Sequence, residues 1–271
     1  MRRSACRIRA CLKELKGALS DPFERDKLYG QQFFRYRSIL RSLPDAGEDT
    51  QLLEIGAGPG HISRCVRRLG FKVRCIDVAP HPDDRRWPQW GIPVEECDIE
   101  RQELPFADNT FSVVLFNDVL EHLMDDPVRT IRRLARVLTP GGLLVLTTPN
   151  VHYLPLVFYP FFGKNVFPIL EEYYQRPRKT KLRELYDRHN RLFTMDEVLE
   201  VIRAGGLVVR SRRFEACAEP VYRYRDRLAY THEFSFRRLY DTDCLKKLLY
   251  RLVTALIPRW RSWILVTAVK E

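Results

Sequence analysis

The segment Leu52–Ser63 constrains the fold more than any other part of the chain. Leu52-Leu53-Glu54-Ile55 is a short apolar run with one carboxylate inside it, and Gly56-Ala57-Gly58-Pro59-Gly60 follows at once. Ile62, Cys65, Val66 and Leu69 then recur at helical spacing up to Gly70. A short apolar run closed by glycine reads as a buried strand, and the later spacing as the inner stripe of a helix. Strand, glycine turn and helix in that order place backbone close to a ligand or another element, because glycine leaves no Cβ in the way.

The same alternation continues downstream. Lys72–Ile76, Val94–Cys97, Phe111–Phe116 and Leu143–Thr147 read as further strands. Between the last two, Asp126 is placed to cap a helix, Pro127 suits its first position, and Val128, Ile131, Leu134, Ala135 and Leu138 line one face until Pro140-Gly141-Gly142 stops it. Strands alternating with helices of this length predict a parallel sheet covered on both faces. After Asn150 the alternation breaks into an aromatic, proline-punctuated and then basic stretch. It resumes with a capping box of Thr194 and Glu197, a helix carrying Val198, Val201 and Ile202 inward to Gly205-Gly206, a sixth strand at Leu207–Arg213 and a closing strand at Trp263–Val269. Upstream, residues 8–19 and 24–43 read as two helices, with Phe33, Tyr36, Ile39, Leu40 and Leu43 on one side of the second. The expected layout is a helical segment at 1–45, a core at 46–150, a lid or substrate insertion at 151–193, and the rest of the core at 194–271 with a second insertion at 216–258. The 271 residues suit one large α/β domain with an added lid.

Composition narrows the setting. The formal charge is +11, but arginines are scattered over every segment, so a solvated basic face accounts for it as readily as a polyanionic partner. Seven cysteines without a CxxC pair point to free thiols in a reducing compartment, with Cys65, Cys75 and Cys97 serving as small hydrophobes, and give no support for zinc. Arg7, Arg9 and Lys13 interrupt any apolar leader, so a surface helix is expected there rather than a secretory signal, and no run reaches membrane-spanning length. A cytoplasmic location is expected, with peripheral membrane contact as the alternative.

The loop's ligand can be narrowed further. A dinucleotide-binding turn would carry its third glycine one place later, where His61 stands, and Glu54 adds negative charge where a pyrophosphate would sit. A ligand with an ammonium group and no phosphate fits better, and S-adenosylmethionine is such a ligand. Asp77 ends the second strand, 21 residues beyond Gly56, where a carboxylate can accept from two ribose hydroxyls. Asp98 ends the third strand, within reach of an adenine amino group, and Asn117 ends the fourth, at the methionine end.

The stretches LLEIGAGPG (52–60), CIDVAP (75–80), CDIERQELPFADNTFSVVLFNDVLEHL (97–123) and RVLTPGGLLVLTTPN (136–150) together resemble the class I S-adenosylmethionine-dependent methyltransferases of the small-molecule group, the quinone and polyphenol O-methyltransferases among them. The resemblance is strong over 51–150 and looser through HNRLFTMDEVLEVIRAGGL (189–207) and the closing strand. It implies a Rossmann-like, doubly wound, seven-stranded and mostly parallel α/β sheet with an antiparallel last strand. It also implies cofactor contact by Glu54, Gly56, Gly58, Asp77, Asp98 and Ile99, with Ala57, Gly60, Val78 and Asn117 in the same loops and strand ends.

The acceptor side is less determined. His189 and His122 are the candidate bases, since imidazole accepts a proton near neutral pH. Asp118, Glu121 and His122 resemble a stretch that can hold a divalent cation in some relatives, yet Glu-His at this place also occurs in members without metal, and a pocket-wall role is the expectation here. His152 is expected in solvent. Tyr153–Phe162 reads as a hydrophobic lid or pocket wall, with membrane contact as the alternative because Lys164 and the basic run Arg176–Lys181 follow. Leu248, Leu249, Leu252, Val253, Leu256 and Ile257 are expected to pack in the core. The acceptor expected is a small molecule bearing a hydroxyl: apolar, aromatic, lipid-like or a glycan. Nucleic acid is not expected, because Asn117-Asp118-Val119-Leu120 stands where a motif for exocyclic amines would be. An RNA or protein methyltransferase and a non-catalytic cofactor-binding scaffold are the alternatives. No feature of the sequence sets the oligomeric state.

Overall fold

The computed structural model describes residues 2–19, 25, 32–47, 49–80, 86–166, 178–179, 182, 184–185, 188–216 and 244–271. Seven strands form one sheet: β1 (Gln51–Ile55), β2 (Lys72–Asp77), β3 (Val94–Glu96), β4 (Phe111–Asn117), β5 (Leu138–Pro149), β6 (Val208–Glu215) and β7 (Trp263–Val269). Their order is β3-β2-β1-β4-β5-β7-β6. The first five run parallel, and β7 lies antiparallel between β5 and β6. This is the Rossmann-like sheet with an antiparallel last strand that the sequence leads one to expect.

Alternation along each strand divides the core in two. Leu52, Val73, Cys75, Val113, Leu115 and Val145 face one side. There they meet α1 (Arg2–Ala18), α2 (Phe33–Arg41) and α3 (His61–Arg68) through Ile8, Leu12, Leu15, Tyr36, Ile39, Ile62 and Val66. Leu53, Ile55, Ile76, Val114, Phe116, Leu144 and Leu146 face the other side. They meet α5 (Pro127–Val137) and α7 (Met195–Ala204), while the short α4 (Arg86–Trp90) closes the edge beside α3. Cys65, Cys75 and Cys97 are buried as small hydrophobes, each with its thiol pushed up chiefly by burial.

Helix ends follow their capping residues. Asp126 accepts from the Val128 and Arg129 amides with Pro127 at the first position, and Thr194 and Glu197 cap α7 reciprocally. Some expectations need correction. The helix expected over 24–43 is described only as Phe33–Arg41, with 24 and 26–31 outside the described residues, and α1 begins at Arg2 rather than at residue 8. Strand β5 starts at Leu138 instead of 143, because Pro140-Gly141-Gly142 forms an irregularity within the strand, between the Phe111 and Val113 pairs, rather than a separate stop. The leucines of α8 (Cys244–Leu256) do not pack in the core: Leu248, Leu249, Leu252 and Leu256 are exposed, while Tyr250 and Thr254 are buried. Sequence period gives a helix an apolar face without saying which way it turns. Residues 217–243 and most of the basic run at 176–181 lie outside the described residues. Among those described, no helix is long and apolar enough to cross a membrane.

Close packing of α7 on α5 provides a test. A Cβ on Gly205, at the end of α7, would sit 2.6 Å from Ile131 Cβ and 3.2 Å from the Val201 carbonyl. Ile131 is branched at that carbon and cannot swing aside. Gly205→Ala is therefore expected to cost about 1–3 kcal/mol by overpacking, read as a lower denaturation midpoint at unchanged slope; a midpoint equal to wild type would contradict this packing.

Candidate active site

The parallel strands all end on one side of the sheet, and β1 separates a neighbour leading to one edge from a neighbour leading to the other. Chain reversal at that point opens a crevice at the strands' carboxyl ends. The loop 56–60 stands at this point, between β1 and α3. Gly56 has φ +67, donates its amide to the Ile76 carbonyl at 2.9 Å, and would bring a Cβ within 2.5 Å of Val119. Gly60 has φ +74 and would drive a Cβ into Trp87 and Trp90. Gly58, φ +50, is different: nothing lies within 4 Å of where its Cβ would be, so open space stands over it. Ala57 is buried under the loop.

Asp77 ties β2 to that loop. Its Oδ2 accepts from the Gly58 amide at 3.1 Å and its Oδ1 from the Ala79 amide at 2.9 Å. A carboxylate offers about four acceptor sites, so two remain for a ligand. Val78 beside it is half-buried. Asp98 is buried at the end of β3, where it heads a turn: Oδ1 accepts from the Glu100 amide at 3.0 Å and its amide donates to Gln102 Oε1. Ile99 is buried against it. Glu100, not singled out from the sequence, is also buried and accepts from the Met124 and Asp125 amides at 2.7 Å each, holding the segment after β4 against the end of β3.

Glu54 is turned beneath the loop. The Ser63 hydroxyl donates to its Oε2, and Ser63 also meets the Cys75 thiol at 3.2 Å. Burial pushes the Glu54 carboxyl up to about 8, with the Asp77 charge adding to the rise and the Ser63 bond working against it.

The ends of β4 and β5 form the other wall. Asn117 Oδ1 accepts from Thr147 at 3.3 Å, while its Nδ2 is buried without a hydrogen-bond partner. Asp118, with φ +53, accepts from Thr147 at 3.1 Å and forms an ion pair with Arg35 of α2. Arg35 also lies 4.6 Å over the Trp263 ring. No sequence pattern points to Arg35, because it lies off the apolar stripe of its helix. These contacts turn Asp118 away from Glu121 and His122, with which the sequence offered it as the less favoured alternative of a cation-binding set. The structure instead gathers Glu121, His122 and His189, whose ligand atoms all lie within 4.8 Å of one another. His122 and His189 meet edge to face at 4.9 Å. His122 Nδ1 lies 2.8 Å from the Arg188 carbonyl and, facing an acceptor, donates to it. Glu121 is buried, accepts from Thr148 at 2.9 Å through Oε2, and leaves Oε1 without a hydrogen-bond partner. Burial raises its carboxyl above the ordinary range, against the opposing pull of His122. The His189 loop is fixed to this group by the Asn190 and Arg191 amides, which donate to the Glu121 carbonyl. His152 is exposed.

The family described as "Methyltransferase domain" matches residues 53–146. The match is to that span of the chain and does not extend beyond it. The ubiquinone biosynthesis O-methyltransferase of Cereibacter sphaeroides is 35% identical over 117 residues, 42% of this chain and 46% of that one. The enzyme of the same description from Rhizobium etli is 27% identical over 172 residues, 61% of this chain and 62% of that one. The chain thus spans about half the length of the curated relatives it matches. An S-adenosylmethionine-dependent methyltransferase structure from Mesorhizobium loti superposes with TM-score 0.53 at 20% identity, covering 86% of this chain and 96% of the other, which establishes the shared fold. The methyltransferase domain holds the glycine loop, Asp77, Asp98 and the Glu121–His122 pair, whereas Arg35 and His189 reach it from outside 53–146.

The buried Glu54 sets a pH dependence. Its folded value, about 8, lies above its ordinary 4.5, so the folded state holds an extra proton across that interval. The stabilisation is complete below the unfolded value and is lost as pH rises through the folded one. Denaturant-measured stability of wild type is expected to fall between about pH 5 and pH 8 by on the order of 1–3 kcal/mol more than that of Glu54→Gln. Parallel pH profiles for the two proteins would refute the assignment.

Proposed function

We propose that the chain is an S-adenosylmethionine-dependent methyltransferase acting on a hydroxyl of a small apolar or aromatic molecule. The reading is supported by Gly58, Asp77, Asp98 and Asn117 all standing at or just beyond the carboxyl ends of β1 to β4, with open space over Gly58 and the Asn117 amide nitrogen buried without a hydrogen-bond partner. The two relatives named above, both described as ubiquinone biosynthesis O-methyltransferases, favour oxygen as the acceptor atom.

Bound there, the cofactor supplies a methyl group already activated on a sulfonium, so the protein's task is placement and proton removal. Asp77 is in this reading the acceptor for the ribose hydroxyls, prepositioned by the Gly58 and Ala79 amides. Asp98 accepts from the adenine amino group beside Ile99. Arg35 offers the counter-charge for the amino-acid carboxylate, exchanging it for Asp118. Asn117 donates through Nδ2. The acceptor hydroxyl lies at the Glu121–His122–His189 group, where His189 or His122 Nε2 takes its proton and Glu121 holds the resulting positive charge.

S-Adenosylmethionine is expected to bind with calorimetrically measurable affinity that Asp77→Ala weakens at least ~30-fold, through loss of charge-assisted hydrogen bonds of about 2 kcal/mol or more. Absence of binding by wild type would overturn the proposal.

One observation favours a second arrangement of the acceptor half. Glu121 Oε1 is a buried acceptor without a hydrogen-bond partner, beside two imidazoles, a donor set suited to a divalent first-row cation. Such a cation would hold the hydroxyl and lower its proton affinity. Under the base reading, His189→Ala is expected to lower kcat about 100-fold while leaving cofactor affinity intact, with activity indifferent to chelators. Activity abolished by chelation and restored by a divalent cation would replace the base reading with the metal one, and unchanged kcat in His189→Ala would sink both.

A further inference from the structure

Glu100 is a buried carboxyl that the chemistry proposed above does not use. It lies in a turn just beyond β3, and its main chain and side chain serve different neighbours. The main-chain amide donates to Asp98 Oδ1 at 3.0 Å. The side chain reaches across to the segment after β4, where Oε1 accepts from the Met124 and Asp125 amides at 2.7 Å each. Taking a carboxyl out of water costs free energy unless its oxygens are hydrogen-bonded, and an apolar side chain would fill the space without that cost. Helix α5 has its own cap in Asp126 and packs through Ile131, Leu134 and Val137, so its formation does not call for the carboxyl.

The turn that bears Glu100 is closely tied. The Arg101 and Gln102 amides donate to the Asp98 carbonyl at 3.1 and 2.8 Å, and Gln102 Oε1 accepts from the Asp98 amide at 2.9 Å. From α5, Arg133 Nη1 donates to the Ile99 carbonyl at 2.8 Å.

The segment that Glu100 holds is short and carries the acid–base group. Strand β4 ends at Asn117, Asp118 turns the chain with left-handed backbone, the 3-10 turn Leu120–His122 follows, and α5 starts at Pro127. Thr147 fixes the entrance by donating to Asp118. In the turn itself, Glu121 accepts from Thr148 near the end of β5, shortly before α6 (Leu154–Phe158), and the His122 carbonyl accepts from Asn190 Nδ2. At the exit, Met124 is exposed and Asp125 has Arg129 at 3.9 Å, the outer limit of an ion pair. The bonds to Glu100 are the short ones there, and they fall on the second and third residues after His122. They fix the exit of the turn to the same element that carries Asp98.

We propose that Glu100 is a positioning residue for the acceptor side, its carboxyl setting where Glu121 and His122 stand relative to the strand ends. The proposal rests on the reading of Glu121, His122 and His189 as the acceptor group. Its two roles can be separated by substitution. The main-chain amide on Asp98 survives any side-chain change, whereas the acceptor for Met124 and Asp125 does not. A glutamine keeps an oxygen at the same reach that can accept both amides, and an aspartate falls one methylene short of it.

The test uses nitrogen–proton NMR of the full chain without ligand, following the His122 Nδ1–H that donates to the Arg188 carbonyl, with His122→Gln to assign it. Its signal is expected in wild type and in Glu100→Gln, and lost or exchanging at least ~10-fold faster in Glu100→Ala, because the local opening that exposes it becomes easier. Should Glu100→Ala fail to fold, as read by its circular dichroism melt, Glu100→Asp carries the same expectation. Calorimetric affinity for S-adenosylmethionine is expected to stay within ~3-fold of wild type in the folded variants, since the cap on Asp98 is unchanged. A protected signal in the alanine and aspartate variants, or its loss in Glu100→Gln as well, would overturn the proposal. So would a loss of cofactor affinity in step with the ring signal, which would make Glu100 a general support of the scaffold. Failure of wild type to bind S-adenosylmethionine would sink the function proposed above, while the ring signal would still decide whether Glu100 sets the place of His122.

Discussion

Strand β1 is hydrogen-bonded along both edges and covered on both faces, and that enclosure dictates the loop after it. Leu52 packs toward α1 and α3, while Leu53 and Ile55 pack toward α5 and α7. The chain leaving such a strand has one open direction, upward into the crevice, and it must turn within a few residues to start α3. Left-handed backbone at Gly56, Gly58 and Gly60 makes that turn, with side chains of Val119 and Trp87 standing where two of the three missing Cβ atoms would be. The third gap, over Gly58, faces empty space. Two glycines therefore serve packing, and the third leaves the surface above it open.

Around this turn, polar groups are assigned by burial. Glu54 lies under the loop, where burial keeps it protonated at neutral pH, so it acts as a neutral hydrogen-bonding group rather than as a fixed charge. A ligand ammonium brought close would favour the ionised form, and ligand binding and proton release would then be linked. Asp77 is differently placed: half-buried, with two backbone amides donating to it, it keeps the acceptor capacity of a carboxylate. The carboxylates at strand ends are thus not interchangeable. Two of them, Glu54 and Glu100, brace the scaffold, and Asp77, bonded by two loop amides, is the one that the proposed function gives to the ligand.

Much of this was legible in the sequence because parallel strands write their ends plainly. A residue that closes an apolar run, such as Asp77 or Asn117, must stand at the carboxyl edge, and the order of runs gives the order of edges. Three things were not legible. Arg35 reaches Asp118 from a helix whose visible pattern concerns only its buried stripe. His189 lies 67 residues from His122, and hydrogen bonds of its neighbours Arg188, Asn190 and Arg191 to Glu121 and His122 bring it there. The leucines of α8 have the spacing of a core helix but the opposite orientation, since spacing records that a face is apolar and not what lies against it.

The same physics explains why likeness to relatives concentrates where it does. Residues 53–146 contain the parts whose geometry backbone alone dictates: a turn that only glycine can make, strand-end carboxylates at fixed register, and a capped helix that returns the chain to the sheet. A ligand held by such parts is held in the same way wherever the fold occurs. In the proposed arrangement the acceptor side is put together from the 150–162 segment and the His189 loop, which lie outside that span and meet it through side chains and a few loop amides. Side-chain contacts can be exchanged without changing the sheet, so this half is free to follow the acceptor.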